Sequence, residues 1–356
     1  MTNSLVYIAN GGGGPCGITV AELNYEDGTL SPVQHVTEIS ECHYLNQHPN
    51  GRFLVATTMD DDVRVLSFAV DPDTGHLRVI NSQPAAGTSP AYVCAEDSGA
   101  NVLMVNYVNG GARGNVRVYP IDSAGALGAA SEHIEIDDAV GPNSERQDVS
   151  HPHMIVTTPD NRFAVVPDLG TDKVYLYALD AARGKLSLSQ TLDLPAGAGP
   201  RHVAFHPSLP LMYVINELDS TLATFIYDGD DNWTTGPILT TLPDGYQQPV
   251  ERPNTTADVH VHPNGKFLYG SNRGHDSIVI YSLDAEGMPR YLANESTRGA
   301  WPRAFMIDPR GEYLLVGNRH TDNAAVFSID AATGMLTFRS SLALSAPIAF
   351  KMRALG

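Results

Sequence analysis

Hydrophobic positions along the chain fall into short runs and never into a helix-length amphipathic stretch. Gly199 to Leu218 shows the pattern. His202 to Phe205 is apolar-rich, His206 to Pro210 is a turn cluster, and Leu211 to Ile215 is a second apolar run ending on Asn216-Glu217. Turn residues between two β-prone runs predict a β-hairpin. A hairpin returns to its start, so Arg201 at its entry and Glu217 at its exit are expected side by side.

The hairpin recurs. Equivalent turns are His48-Pro49-Asn50-Gly51, Glu96-Asp97-Ser98-Gly99, Thr158-Pro159-Asp160-Asn161, His262-Pro263-Asn264-Gly265 and Asp308-Pro309-Arg310-Gly311. Their second positions, with Pro207, are spaced 46 to 62 residues apart. Each is followed by a strand, a third strand, an Asp-x-x-x-Gly-x-Leu turn or a close variant (Asp71 to Leu77, Asp180 to Leu186, Asp330 to Leu336) and a fourth strand. Four antiparallel strands at this period predict a β-propeller blade. Six units are complete. A seventh is split, with Leu5 to Asn10, Gly17 to Tyr25 and Leu30 to Ile39 at one chain end and Pro347 to Met352 at the other. The expected fold is all-β: a seven-bladed β-propeller, one domain over residues 1–356, closed by pairing the C-terminal strand with the N-terminal strands. Closure leaves no open sheet edge.

Registering the repeats produces columns. Six residues before each turn's second position stand His43, Ala91, His153, Arg201, Ala257 and Arg303, with Ile348 in the split unit. The second strands end on Asn10, Thr58, Asn106, Asp168, Asn216, Asn272 and Asn318, followed by Gly11, Met59, Tyr107, Leu169, Glu217, Arg273 and Arg319. All three columns are expected around one mouth of the central channel. The longer repeats add residues on that face, about Ala129 to Ser150 and Pro243 to Thr256, which are expected to wall or cover it. The His-Pro turns fall on the opposite face, which makes His48, His206 and His262 turn residues. Asn10, Asn106 and Asn318 read best as turn-capping side chains.

Charge sharpens this picture. The chain carries 22 Lys plus Arg against 40 Asp plus Glu, a formal net charge of -18. That excludes phosphate-backbone binding, so neither nucleic acid nor an anionic membrane is an expected partner. Against the acidic background, Arg201, Arg273, Arg303 and Arg319 converge on one mouth. Clustered guanidinium groups need an anion or carboxylates to neutralise them, so an anion-binding site is expected there, with Glu217 a candidate general base. His151-Pro152-His153 lacks a third ligand at metal spacing; no metal or cofactor is expected. Register favours His153 over His151 as the channel-facing residue. The Gly11 to Gly14 run precedes no helix and reads as a loop, not a phosphate cradle. Cys16, Cys42 and Cys94 read as reduced, buried thiols. With no apolar run of membrane length and no signal-like N-terminus, a cytoplasmic protein is the default.

With the repeats registered, Ser150-His-Pro-His153, Gly199-Pro-Arg-His202, Asn216-Glu217, Ser271-Asn-Arg-Gly-His275, Trp301-Pro-Arg303, Asp308-Pro309 and Asn318 resemble the seven-bladed lactonase family. It contains propeller-type 6-phosphogluconolactonases and the fungal 3-carboxy-cis,cis-muconate cyclases. The resemblance covers essentially the whole chain. It implies a catalytic set of His153, Arg201, Glu217 and Arg273. On the hydrolase reading, Glu217 takes a proton from water, Arg201 and Arg273 steady the developing oxyanion and the substrate's anionic group, and His153 protonates the leaving alkoxide. His43, His151, Asn216, Asn272, Arg303 and Arg319 complete the expected substrate pocket. Hydrolysis of a sugar lactone, 6-phosphogluconolactone foremost, is the expected activity. A carboxymuconate-type cyclase is the alternative. A non-enzymatic interaction propeller is a third reading; against it, the Trp-Asp repeat signature is absent, Trp233 and Trp301 being the only tryptophans.

Overall fold

The computed structural model describes every residue except 1, 2, 13, 15, 60, 61, 109–112, 231, 355 and 356. Gly13 of the glycine run therefore lies outside the described residues. Among those described, 28 strands form seven four-stranded antiparallel sheets and no helix is present. Six sheets are consecutive in sequence. The seventh pairs Pro347–Ala354 with Ser4–Asn10, then Ile18–Leu23 and Leu30–Val36, closing the ring as the split repeat predicts. We number this sheet blade 1 and the others in chain order.

Burial follows position within a blade. Second strands such as Phe53–Thr58, Leu211–Asn216 and Tyr313–Asn318 are buried at every residue, because neighbouring blades cover both faces; such strands read as continuous apolar runs. Outermost strands such as Leu336–Ala343 keep only scattered buried positions.

Neighbouring blades are stapled by recurring polar contacts. His48, His206 and His262 each place Nε2 within 3.0 Å of the carbonyl oxygen of the next blade's turn glycine: Gly99, Gly265 and Gly311. Their Nδ1 atoms accept backbone N–H bonds within their own turns. Tyr7, Tyr213 and Tyr269 donate to the carbonyls of Gly75, Gly287 and Gly334 in the following blade. Those glycines have φ of 68°, 77° and 72°, the left-handed conformation that a side chain disfavours, which explains the glycine of the Asp-x-x-x-Gly turn. Tyr269→Phe leaves the Gly334 carbonyl buried without its partner and should cost about 1–3 kcal/mol. A denaturant midpoint will show this, with steady-state kinetics unchanged.

Two local expectations need correction. The innermost strand of blade 4 is only Val156–Thr157, since Pro152 upstream has no N–H to give the ladder; His153 sits on irregular backbone just before it. The insert after blade 3 also begins later than expected, because Glu132–Glu135 forms that blade's fourth strand.

Candidate active site

Most inner strands share one irregularity. Their pairing shifts register between Cys42 and Tyr44, Pro90 and Tyr92, Pro200 and His202, Thr256 and Val259, and Pro302 and Ala304. Each shift is a β-bulge, which leaves a residue unpaired and re-aims its side chain. The skipped residues include His43, Ala91, Arg201, Ala257 and Arg303, five of the seven positions in the first column of the sequence register. The third column arrives by simple alternation: in Asn216-Glu217 or Asn272-Arg273, one residue packs between blades and the next faces the mouth.

Together they line a cavity of about 350 Å³ bounded by Glu41, His43, Met59, Ser89, Ala91, Tyr107, Arg146, His153, Glu217, Arg273, Arg303 and Arg319. Glu217 is its buried centre. Arg273 Nη2 lies 2.8 Å from Glu217 Oε2, and Arg146 Nη2 donates to Oε1 at 2.5 Å. Arg201, 1% exposed, approaches from beneath with Nε 3.0 Å from Oε2, an ion pair without good hydrogen-bond alignment. Arg273 also lies 5.3 Å from the Trp301 ring centroid. Trp301 holds φ of 65° and donates its N–H to Asp276, a strained backbone that braces a cation–π contact. At the other end, Arg303 Nη2 contacts His43 Nε2 at 3.1 Å, while His43 Nδ1 bonds the Pro90 carbonyl.

Burial would raise the Glu217 carboxyl, but Arg273, Arg201 and Arg146 outweigh it and hold the group ionised, well below the usual carboxylate range. Burial, reinforced by Arg201, His202, Arg303 and Arg273, pushes His153 well below 6.5. Burial and Arg303 bring His43 to about 3. Both imidazoles are thus neutral at pH 7. Burial and Arg273 lower Arg201 to about 10 despite Glu217. Burial, with Arg201, Arg273 and Arg319, also lowers Arg303. The cavity carries a surplus of positive charge, and Arg303 and Arg319 form no ion pair among the described residues.

Of the expected residues, His43, His153, Glu217, Arg273, Arg303 and Arg319 line this cavity, with Arg201 directly under Glu217. Three others lie elsewhere. Asn216 bonds Thr221 in its own blade. Asn272 bonds the Thr241 carbonyl, just past the last strand of the preceding blade, as Asn106 and Asn318 bond the carbonyls of Ala85 and Thr297; alternation turns these side chains away from the mouth. His151 stacks on Tyr107 at 4.2 Å between ring centroids and contacts Asp148, so it backs a lining residue instead of lining the cavity. Arg146 and Tyr107 were not singled out. Tyr107 stands in the third column, where its aromatic ring masked the signal. Arg146 lies in the insert after blade 3, and nothing in the repeat registers a loop residue. The insert over Pro243 to Thr256 supplies no lining residue; its Arg252 pairs with Asp276.

Comparison with known proteins agrees with this fold. The family model for "Lactonase, 7-bladed beta-propeller" matches residues 6–352. The chain is 32% identical over 303 residues to a 6-phosphogluconolactonase of Bacillus subtilis, covering 83% of this chain and 82% of that protein. It is 30% identical over 303 residues to a 6-phosphogluconolactonase of Formosa agariphila, covering 82% of each. Among solved structures, the periplasmic gluconolactonase PpgL of Pseudomonas aeruginosa superposes with a TM-score of 0.91 at 26% identity, over 99% of this chain and 100% of that one. A candidate 6-phosphogluconolactonase of Bacteroides fragilis superposes at 0.89 and 29% identity, over 99% and 98%. The chain belongs to the lactonase family of seven-bladed β-propellers. It is a lactonase, a hydrolase of cyclic esters.

Proposed function

We propose that the substrate is a phosphorylated sugar lactone, 6-phosphogluconolactone, opened to 6-phosphogluconate in the channel-mouth cavity. The observation that carries this reading is the unequal neutralisation of the two ends. Glu217 compensates Arg146, Arg201 and Arg273, whereas Arg303 and Arg319 form no ion pair among the described residues. A phosphate would supply that charge through bidentate guanidinium contacts. The names of the Bacillus and Formosa relatives support the same substrate.

The lactone carbonyl then lies toward Glu217, Arg273 and His153. Glu217, held ionised by three guanidinium groups, is a weak base; its part is to fix Arg146 and Arg273 for the oxyanion. This revises the base assignment made from sequence. Neutral His153 accepts the proton of the attacking water as the water oxygen bonds the carbonyl carbon. The resulting oxyanion faces the guanidinium groups. When the ring C–O bond breaks, the imidazolium returns its proton to the leaving alkoxide, the donor role expected of His153. The new carboxylic acid ionises and releases one proton.

The phosphate assignment is tested by Arg319→Ala. Loss of a charge-assisted contact worth about 1.5–3 kcal/mol should raise KM for the phosphorylated lactone roughly 10- to 100-fold, leaving KM for unphosphorylated gluconolactone nearly unchanged. An equal rise for both substrates would overturn the assignment.

A further inference from the structure

Beneath the cavity, a line of buried polar side chains runs down the channel. Arg201 Nη1 donates to His202 Nε2 at 3.2 Å and also to the Ala257 carbonyl. His202 Nδ1 lies 2.8 Å from Asp258 Oδ1. His202 is 2% exposed and Asp258 4%. Asp258 Oδ1 also accepts the N–H of Val259, and Oδ2 that of Phe305; His260 Nε2 lies 3.3 Å from Oδ2. The bulges in the inner strands of blades 5 and 6 bring these groups into line. By re-aiming Arg201 the first lets the adjacent His202 share its side of blade 5, and the shift between Thr256 and Val259 does the same for Asp258 on blade 6.

The donor sense of the chain is fixed at both ends. A guanidinium only donates and an ionised carboxylate only accepts. Between them, His202 must carry its proton on Nδ1 and present a bare Nε2 to Arg201.

We propose that Asp258 and His202 are positioning residues for the active site: Asp258 fixes the tautomer of His202, and His202 thereby holds Arg201, which in turn seats Glu217. Neither residue touches substrate. The inference rests on the lactonase reading for its kinetic consequence, but the tautomer itself can be read without substrate.

The test is a set of variants with two readouts. Asparagine at 258 can donate to His202 Nδ1, which moves the imidazole proton to Nε2 and sets it against Arg201, a second donor. Asp258→Asn should therefore lower kcat/KM by roughly 10- to 100-fold, the scale of lost partners that orient a site's ligands. Nitrogen-15 spectra of His202 should show protonation moving from Nδ1 to Nε2. His202→Gln should stay within a few-fold of the native enzyme, because its amide oxygen accepts from Arg201 and its NH2 donates to Asp258. His202→Leu should lose activity as Asp258→Asn does. If Asp258→Asn lowers kcat/KM while His202 keeps its proton on Nδ1, Asp258 acts by charge alone and the proposal fails. It fails equally if native His202 is protonated on Nε2. Circular dichroism and thermal unfolding of each variant separate misfolding from mispositioning. A native enzyme with the stated tautomer and no lactonase turnover would instead overturn the functional reading.

Discussion

Glu217→Gln should lose most turnover and also destabilise the protein by about 3–5 kcal/mol, the cost of removing one partner from a buried ion pair. Three guanidinium groups surround this single buried carboxylate, and glutamine leaves them without its counter-charge. The loss should be reversed in part by an anion. Millimolar phosphate should raise the melting temperature of Glu217→Gln more than that of the native protein, because binding to the folded state alone stabilises it. The same logic fixes a pH dependence. The native carboxyl is depressed below its ordinary value of 4.5, so its stabilisation is fully present above that value and is lost as pH falls toward the folded-state value. Glu217→Gln should lack this component of acid destabilisation. A variant that melts like the native protein and responds no more strongly to phosphate would show that the cluster is not held together by Glu217.

His153→Asn should lower kcat by about 10²- to 10⁴-fold, the range for a positioned acid–base group, with a far smaller change in KM. Burial and the surrounding arginines depress the His153 pKa, and a base works in its neutral form. The acid limb of kcat/KM should therefore lie below pH 6.5, leaving activity level through neutrality, and the limb should vanish in His153→Asn. A limb at or above pH 6.5 in the native enzyme, or kcat within a few-fold of native in the variant, would remove His153 from proton transfer.

Much of this site was legible in the sequence because a propeller repeats. Registering the turns placed His43, His153, Arg201 and Arg303 in one column and Glu217, Arg273 and Arg319 in another, and seven-fold pseudo-symmetry carried both columns to one mouth. What register could not resolve was the side on which a residue falls. Asn216 and Asn272 stand next to lining residues, yet a strand turns successive side chains to opposite faces. The bulges reverse that rule locally and bring His202 and Asp258 to the channel beside Arg201. Arg146 lay outside the reach of any repeat, since it comes from a loop that only one blade carries. Roles were less legible than positions. Glu217 reads as a base until Arg146 and Arg273 are seen to share its two oxygens, and His153 reads as an acid until its burial among arginines is known.

The central claim is that the arginine-rich mouth opens a phosphorylated lactone. Acid release at constant pH, followed with 6-phosphogluconolactone, unphosphorylated gluconolactone and 3-carboxymuconate side by side, tests it most directly. The account predicts rapid proton release above background with the first, a much lower kcat/KM with the second and no turnover of the third. Equal rates on the two lactones, or activity confined to 3-carboxymuconate, would contradict it.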